Sequence, residues 1–135
     1  LLGVKAPPDF EAGLTFLMSL FLGFIIAFAL NSITIMLAFW TTNVHGAQLA
    51  KRALVEICSG VLIPFEFLPL WLKEIVNYLP FQGMAYIPIS IYTGRITGTA
   101  IYCNLAAQLG WAVMILLIAQ LIWNAASRQV TINGG

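Results

Sequence analysis

The sequence carries very little charge for its length. Of its 135 residues, 61% are hydrophobic and 8% are charged. A soluble domain has about 25% charged residues, because its surface must be hydrated. Six basic and five acidic side chains cannot cover a soluble protein of this size. The composition therefore indicates a protein whose surface faces lipid.

Two long segments have no charged residue at all. None occurs between Glu11 and Lys51, and none occurs between Arg95 and Arg128. Each gap is longer than the roughly 20 apolar residues that cross a hydrocarbon core of about 30 Å. A charge at mid-bilayer costs at least about 2.5–3.5 kcal/mol. The gaps therefore predict membrane-spanning helices.

The sequence also lacks the motifs of several kinds of chemistry. It contains no phosphate-binding P-loop, no HExxH and no GxSxG. Its single histidine, His45, has no second metal ligand nearby in sequence. Cys58 and Cys103 lie in apolar segments and read as small buried hydrophobic residues. We therefore predict no cofactor, no metal site and no enzyme activity in this chain.

The sequence gives no indication of nucleic-acid binding or of a signal peptide. The net charge of +1 gives no reason to expect a nucleic-acid partner. The chain begins at Leu1 without a basic n-region or a cleavage site, so no signal peptide is predicted. This beginning leads us to expect a piece of a longer protein.

The predicted fold is all-α, a single transmembrane domain over residues 1–135 with about three spans. The spans are expected over residues 14–40, 48–67 and 102–126, the second beginning at Gln48 or Ala53. Pro64 and Glu66 make the second span the least regular of the three.

Small and weakly polar residues form a stripe on the first span. They recur at four-residue spacing, which places them on one helix face: Ser19, Gly23, Ala27 and Asn31. Small residues let helices approach closely, and an asparagine can hydrogen-bond across the contact. We predict helix packing for this stripe, with a role for Asn31 in a substrate path as the alternative. Ala106 and Gly110 are a similar predicted packing pair on the third span.

Residues 41–52 are predicted to form a polar loop between the first two spans. His45 lies at its centre, and Lys51 and Arg52 close it. Arg52 precedes Glu56 by four residues, so the two side chains can pair on one helix face.

Residues 68–96 are predicted to form a segment that enters the membrane without crossing it. Its first part has an apolar and a polar helix face but is too short to span, and Pro80 ends it. Its second part is apolar but is interrupted by Gly83, Pro88 and Gly94. Irregular backbone at membrane depth must be shielded by protein or water. We therefore expect an interfacial or re-entrant helical segment packed against other helices.

The charges that flank this segment are Glu66 and Arg95. An isolated charge near the membrane is costly. The two side chains are therefore predicted neighbours, although each could instead reach the headgroups separately.

The distribution of basic residues bears on orientation, because cytoplasmic loops are rich in Lys and Arg. With three spans, each side of the membrane holds three of them. They are Lys51, Arg52 and Arg128 on one side, and Lys5, Lys73 and Arg95 on the other. The first three lie immediately beside spans. We therefore predict that the 41–52 loop and the C-terminus are cytoplasmic.

Residues 58–95 have the most distinctive sequence, CSGVLIPFEFLPLWLKEIVNYLPFQGMAYIPISIYTGR. This run resembles the C-terminal half of ABC-2-type transporter permeases, and within them the daunorubicin-exporter-like branch. The resemblance extends over essentially the whole chain, and the 58–95 run is its specific part. It implies spans four to six of a six-span permease, with re-entrant helices on the external side before the last span.

The resemblance also implies partners and a mechanism. A permease of this kind works with a separate ABC ATP-binding subunit and a second permease copy, identical or different, in the lipid bilayer. Substrate would move by alternating access along the permease–permease interface. The 41–52 loop would touch the ATPase, with candidate contacts at His45, Gln48, Lys51 and Arg52. A non-transporting membrane scaffold is the alternative function.

Overall fold

The structure is a computed structural model that describes residues 10–37, 40–41, 44–59 and 67–133. For Val44 and residues 129–133, only the backbone is described. These ranges contain five α-helices, one 3-10 helix and no strand, so the all-α prediction is confirmed. The helices are α1 Phe10–Met36, α2 Val44–Cys58, α3 Leu70–Asn77, α4 Tyr86–Tyr92 and α5 Thr99–Asn133, and the 3-10 helix is Pro80–Met84.

Helices α1 and α5 are long and apolar enough to cross a membrane. The most apolar 18-residue window of α1 has a mean hydropathy of 2.4, and the corresponding window within residues 99–128 of α5 has one of 2.1. A helix of 27 residues is about 40 Å long, which exceeds the hydrocarbon thickness. Only 28% of each apolar window is buried within the described structure, so most of this apolar surface faces outward.

Helices α1 and α5 pack side by side and run in the same direction. The Tyr102 hydroxyl donates to the Glu11 carboxylate at 2.6 Å, near the beginning of both helices. Further along, α1 and α5 form the core cluster of the molecule, made of Ile26, Ala29, Ala112 and Ile115. Because residue numbers rise together along both helices, the end of α1 and the beginning of α5 lie at opposite ends of the helix pair.

The structure corrects the predicted loop over residues 41–52. Helix α2 begins at Val44, so most of the predicted loop is its first turns. Residues 47–54, AQLAKRAL, are strong helix formers, and their polarity is compatible with a helix that has one exposed face. Gly46 falls in the first turn, where it interrupts little of the hydrogen-bonded helix.

Helix α2 has 15 residues and is therefore about 22 Å long, too short to cross a membrane by itself. The predicted span over 48–67 continues into residues 60–66, which lie outside the described residues. That span therefore stays a prediction. Helix α5 continues past its predicted end at Ala126 to Asn133, and no Pro or Gly occurs in that stretch to stop it.

Three short helical elements follow between residues 70 and 92. Prolines begin two of them: Pro69 is the N-cap of α3, and Pro80 is the first residue of the 3-10 helix. Pro88 lies in the first turn of α4, where its missing N–H interrupts no helix bond. Gly94 ends α4 with a φ of 71°, a conformation that costs glycine little, and the Arg95 and Ile96 amides bond back to the Ser90 carbonyl.

Candidate functional site

The stripe of small residues on α1 contacts three different elements. Ser19 faces α5, Gly23 faces the 3-10 helix, and Ala27 and Asn31 line a cleft beside α2. The four-residue spacing keeps them on one face of α1. The other elements contact that face at successive positions along the helix. This arrangement makes the stripe the side of α1 against which the rest of the chain is positioned.

Gln108 joins three elements through its side-chain amide. Its Oε1 accepts a hydrogen bond from Ser19 Oγ at 2.8 Å, and its Nε2 donates to the Gly83 carbonyl at 2.7 Å and to the Ser19 carbonyl at 3.2 Å. The residue is 1% exposed. A buried amide without partners would cost about 1–3 kcal/mol, whereas this one is fully bonded. Gln108 thereby ties α1, the 3-10 helix and α5 together.

The backbones of α1 and the 3-10 helix touch at Gly23. A Cβ atom on Gly23 would lie 2.5 Å from the Gly83 carbonyl oxygen and 3.2 Å from Met84 Cα. No ordinary side chain fits there, because the obstacle is backbone. A Cβ on Gly83 would also be crowded, at 3.2 Å from both Gln108 Cγ and Ile26 Cδ1. We call the group Gly23, Gly83 and Gln108 the mid-helix contact.

The mid-helix contact fixes the depth of the irregular segment. Gly23 is the middle residue of the 27-residue α1, so the 3-10 helix lies level with the middle of that helix. Helix α4 then returns toward the beginning of α1, where the rings of Tyr92 and Phe16 are 5.1 Å apart. Residues 80–92 thus run from the middle of the long helices back to the end at which these helices begin.

Helix α2 contacts the far end of α1. Lys51 Nζ donates to Asn31 Oδ1 at 2.6 Å. The predicted Arg52–Glu56 pair is confirmed, with Nε 2.6 Å from Oε1. A cleft of about 530 Å³ lies between α1 and α2, and we call it the α1–α2 cleft.

The four residues predicted to contact an ATPase fall on different sides of α2. His45, Gln48 and Arg52 line a second groove of about 500 Å³. Lys51 is turned toward α1 and its bond with Asn31. The first three form an exposed polar surface on α2, and Lys51 does not line that groove.

The remaining predicted site residues have different outcomes. Glu66 lies outside the described residues, so its pairing with Arg95 stays a prediction, and Arg95 is exposed in the turn after α4. Ala106 and Gly110 are exposed, and a Cβ on Gly110 would meet nothing within 4 Å. The structure therefore does not bring this pair into the packing of the described chain.

The side of α5 that packs is set by other residues. They follow helical spacing on a different face of α5 from the predicted pair: Leu105, Gln108, Ala112, Ile115 and Ala119. Sequence reasoning did not single out Gln108 and missed its three-element role. The sequence did carry a signal for that role, because Gln108 is the one long polar side chain among these five buried positions of α5.

The described residues include no group of three or more His, Cys, Asp or Glu side chains that could hold a metal ion. Both cysteines are free, with Cys58 buried and Cys103 exposed. What this part of the chain offers is packing between helices and two grooves beside α2, each lined by polar and apolar residues.

Two long apolar helices packed in parallel, with an irregular helical segment packed against them, fit a helical membrane protein by length and composition. The model of the ABC-2 family transporter proteins matches residues 7–134, so the chain belongs to this family of transporter membrane components. No curated protein and no solved structure matches the chain. The daunorubicin-exporter-like branch stays a prediction.

Proposed function

We propose that this chain is a permease subunit of an ATP-driven ABC-2-type exporter and forms part of its substrate pathway. Membership of the ABC-2 family carries this proposal. The mid-helix contact supports it, because irregular backbone at membrane depth is found where protein or a water-filled cavity surrounds it. In this reading the hydrolysis of ATP belongs to a separate ATP-binding subunit, and a second permease copy completes the pathway.

The parallel packing of α1 and α5 supports three crossings. If both helices cross the membrane in the same direction, the chain between them must cross it an odd number of times. Residues 48–67 are the proposed return crossing, with residues 68–96 re-entering from the side where α1 and α5 begin. This topology places the beginning of α2 and the end of α5 on the same side, which we propose is cytoplasmic.

Helix α2 is the proposed contact with the ATP-binding subunit. Its His45, Gln48 and Arg52 line an exposed groove, and its Lys51 bonds to α1. A displacement of α2 by the ATP-binding subunit would therefore be transmitted to α1 through the Lys51–Asn31 hydrogen bond. We leave Lys51 out of the proposed contact because its ammonium group faces α1.

The test uses the full-length permease expressed with its ATP-binding subunit. Cysteines at His45, Gln48 and Leu49, in a background without Cys58 and Cys103, should crosslink to the ATP-binding subunit in at least one nucleotide state. A cysteine at Thr97, at the other end of the molecule, is the matched control and should not crosslink. Arg52→Ala should lower permease-dependent ATPase activity. Absence of crosslinks in every nucleotide state, with unchanged ATPase activity, would contradict the proposal.

A non-transporting membrane scaffold is the second candidate function. The outward-facing Ala106 and Gly110 favour it, because small exposed residues on an apolar helix suit contact with another helix. The same crosslinking experiment separates the two functions. A scaffold would assemble with other membrane chains without changing ATPase activity.

A further inference from the structure

The α1–α2 cleft is lined by both polar and apolar residues. Lys51 and Asn31 are bonded to each other, and we call this polar part of the lining the mouth. We call the apolar part of the lining the floor: Ala27, Leu30, Val55 and Met84. The volume of about 530 Å³ is that of a small-molecule site. A cleft with these two zones has the chemistry to hold an amphiphilic molecule.

The depth of the cleft matches the boundary between headgroups and hydrocarbon. Asn31 follows Glu11 by 20 residues on the same helix, which corresponds to about 30 Å. That distance is the thickness of the hydrocarbon core. With Glu11 at one surface, Asn31 and Lys51 therefore lie at the other. The apolar floor extends from there toward Gly23, the middle of α1.

The charge at the mouth is positive. Three ionised residues line the cleft, and the Arg52 and Glu56 side chains pair with each other at 2.6 Å. Lys51 Nζ bonds to the neutral Asn31 amide oxygen, and no carboxylate in the described part of the chain forms an ion pair with it. An ammonium group has three N–H donors, so two are available to an anion.

We propose that the α1–α2 cleft binds an acidic glycerophospholipid of the surrounding bilayer. The Lys51 ammonium contacts the lipid phosphate, and Asn31 holds Lys51 in position. The beginning of an acyl chain lies along Ala27, Leu30 and Met84. Basic residues between helices at the membrane surface are suited to anionic headgroups. Binding at this place would couple the separation of α1 and α2 to the composition of the bilayer.

The test is native mass spectrometry of the full-length permease in mild detergent, with short-chain phosphatidylglycerol or phosphatidylcholine added. The unmodified protein should retain phosphatidylglycerol in preference to phosphatidylcholine. Lys51→Gln keeps a donor for Asn31 but removes the charge, and it should reduce the preference about fivefold. Lys51→Arg should retain it. Lys73→Gln, which removes a lysine on α3 that does not line the cleft, is the matched control and should leave the preference unchanged.

A second variant tests the floor of the cleft. Ala27→Phe fills part of the floor without changing any charge, and it should reduce retention of phosphatidylglycerol while Lys51 is intact. Equal retention of both lipids, an unchanged preference in Lys51→Gln, or an equal loss in Lys73→Gln would overturn the proposal. Displacement of the lipid by inorganic phosphate at the same concentration would also overturn it, because the site would then recognise an anion alone. The measurement needs no ATP-binding subunit, so its outcome is independent of the proposed coupling.

Discussion

At the scale of single residues, Gln108 is the most informative side chain. It is buried between α1, the 3-10 helix and α5, and both ends of its amide are bonded. In a region with little water, a carbonyl left without a donor has no replacement partner. Gln108 is therefore expected to stabilise the position of the 3-10 helix rather than only to fill space.

Gln108→Leu should destabilise the permease. The leucine has a similar size but leaves the Ser19 hydroxyl and the Gly83 carbonyl without their partner, at a cost of about 1–3 kcal/mol. Thermal unfolding of the purified full-length protein measures the change. Gln120→Leu is the control, because Gln120 is exposed and bonds to Asn124 on its own helix. Equal melting temperatures for the two variants would show that the Gln108 bonds contribute no stability.

The helical spacing of the buried residues on α5 could have predicted that Gln108 is buried, but not which groups it bonds to. A polar residue at a core-facing spacing must find hydrogen bonds. The sequence does not show that the partners are Ser19, distant in the chain, and the backbone carbonyl of Gly83. Such partners depend on the tertiary arrangement of three elements.

At the scale of elements, the two long helices were the most predictable part. Their charge-free gaps set them apart from the rest of the chain, and most residues of α1 and α5 fall within those gaps. The start of α2 was missed because Gln48, Lys51 and Arg52 suit both a polar loop and an exposed helix face. The 68–96 segment was predicted to be irregular, and the glycines that interrupt it proved to have distinct roles. Gly83 leaves room for the Gln108 and Ile26 side chains, and Gly94 ends a helix.

The contact between α1 and the 3-10 helix gives a matched pair of glycine variants. Gly23→Ala should separate the two elements, because the new Cβ would lie 2.5 Å from a backbone oxygen. We expect a loss of about 1–3 kcal/mol, typical of overpacking. Gly110→Ala, also within a long helix but facing open space, should be neutral or stabilising by up to about 1 kcal/mol.

Thermal unfolding of both glycine variants, side by side, measures the difference. If Gly23→Ala is as stable as the unmodified protein, the backbones of α1 and the 3-10 helix are not in contact in the protein. Similar losses in both variants would mean that the face of α5 carrying Gly110 is also covered in the assembled protein.

At the scale of the whole molecule, the direction of α1 and α5 is the central geometric fact. The Glu11–Tyr102 and Ser19–Gln108 bonds occur in the same order along both helices. A chain that begins two membrane helices at one surface needs a crossing between them. The 3-10 helix falls between α1 and α5 in the sequence. The mid-helix contact places it near the middle of α1. Together these features support a permease with a re-entrant segment.

The most direct test is the topology of single cysteines in the full-length permease, without Cys58 and Cys103, in sealed membrane vesicles. An impermeant thiol reagent should label cysteines at Gln48 and Ser127 from the same side. It should label a cysteine at Thr97, which is exposed near the beginning of α5, from the opposite side. This result is expected because α1 and α5 cross in the same direction. Labelling of Gln48 and Thr97 from the same side would contradict the three crossings and the permease topology that depends on them.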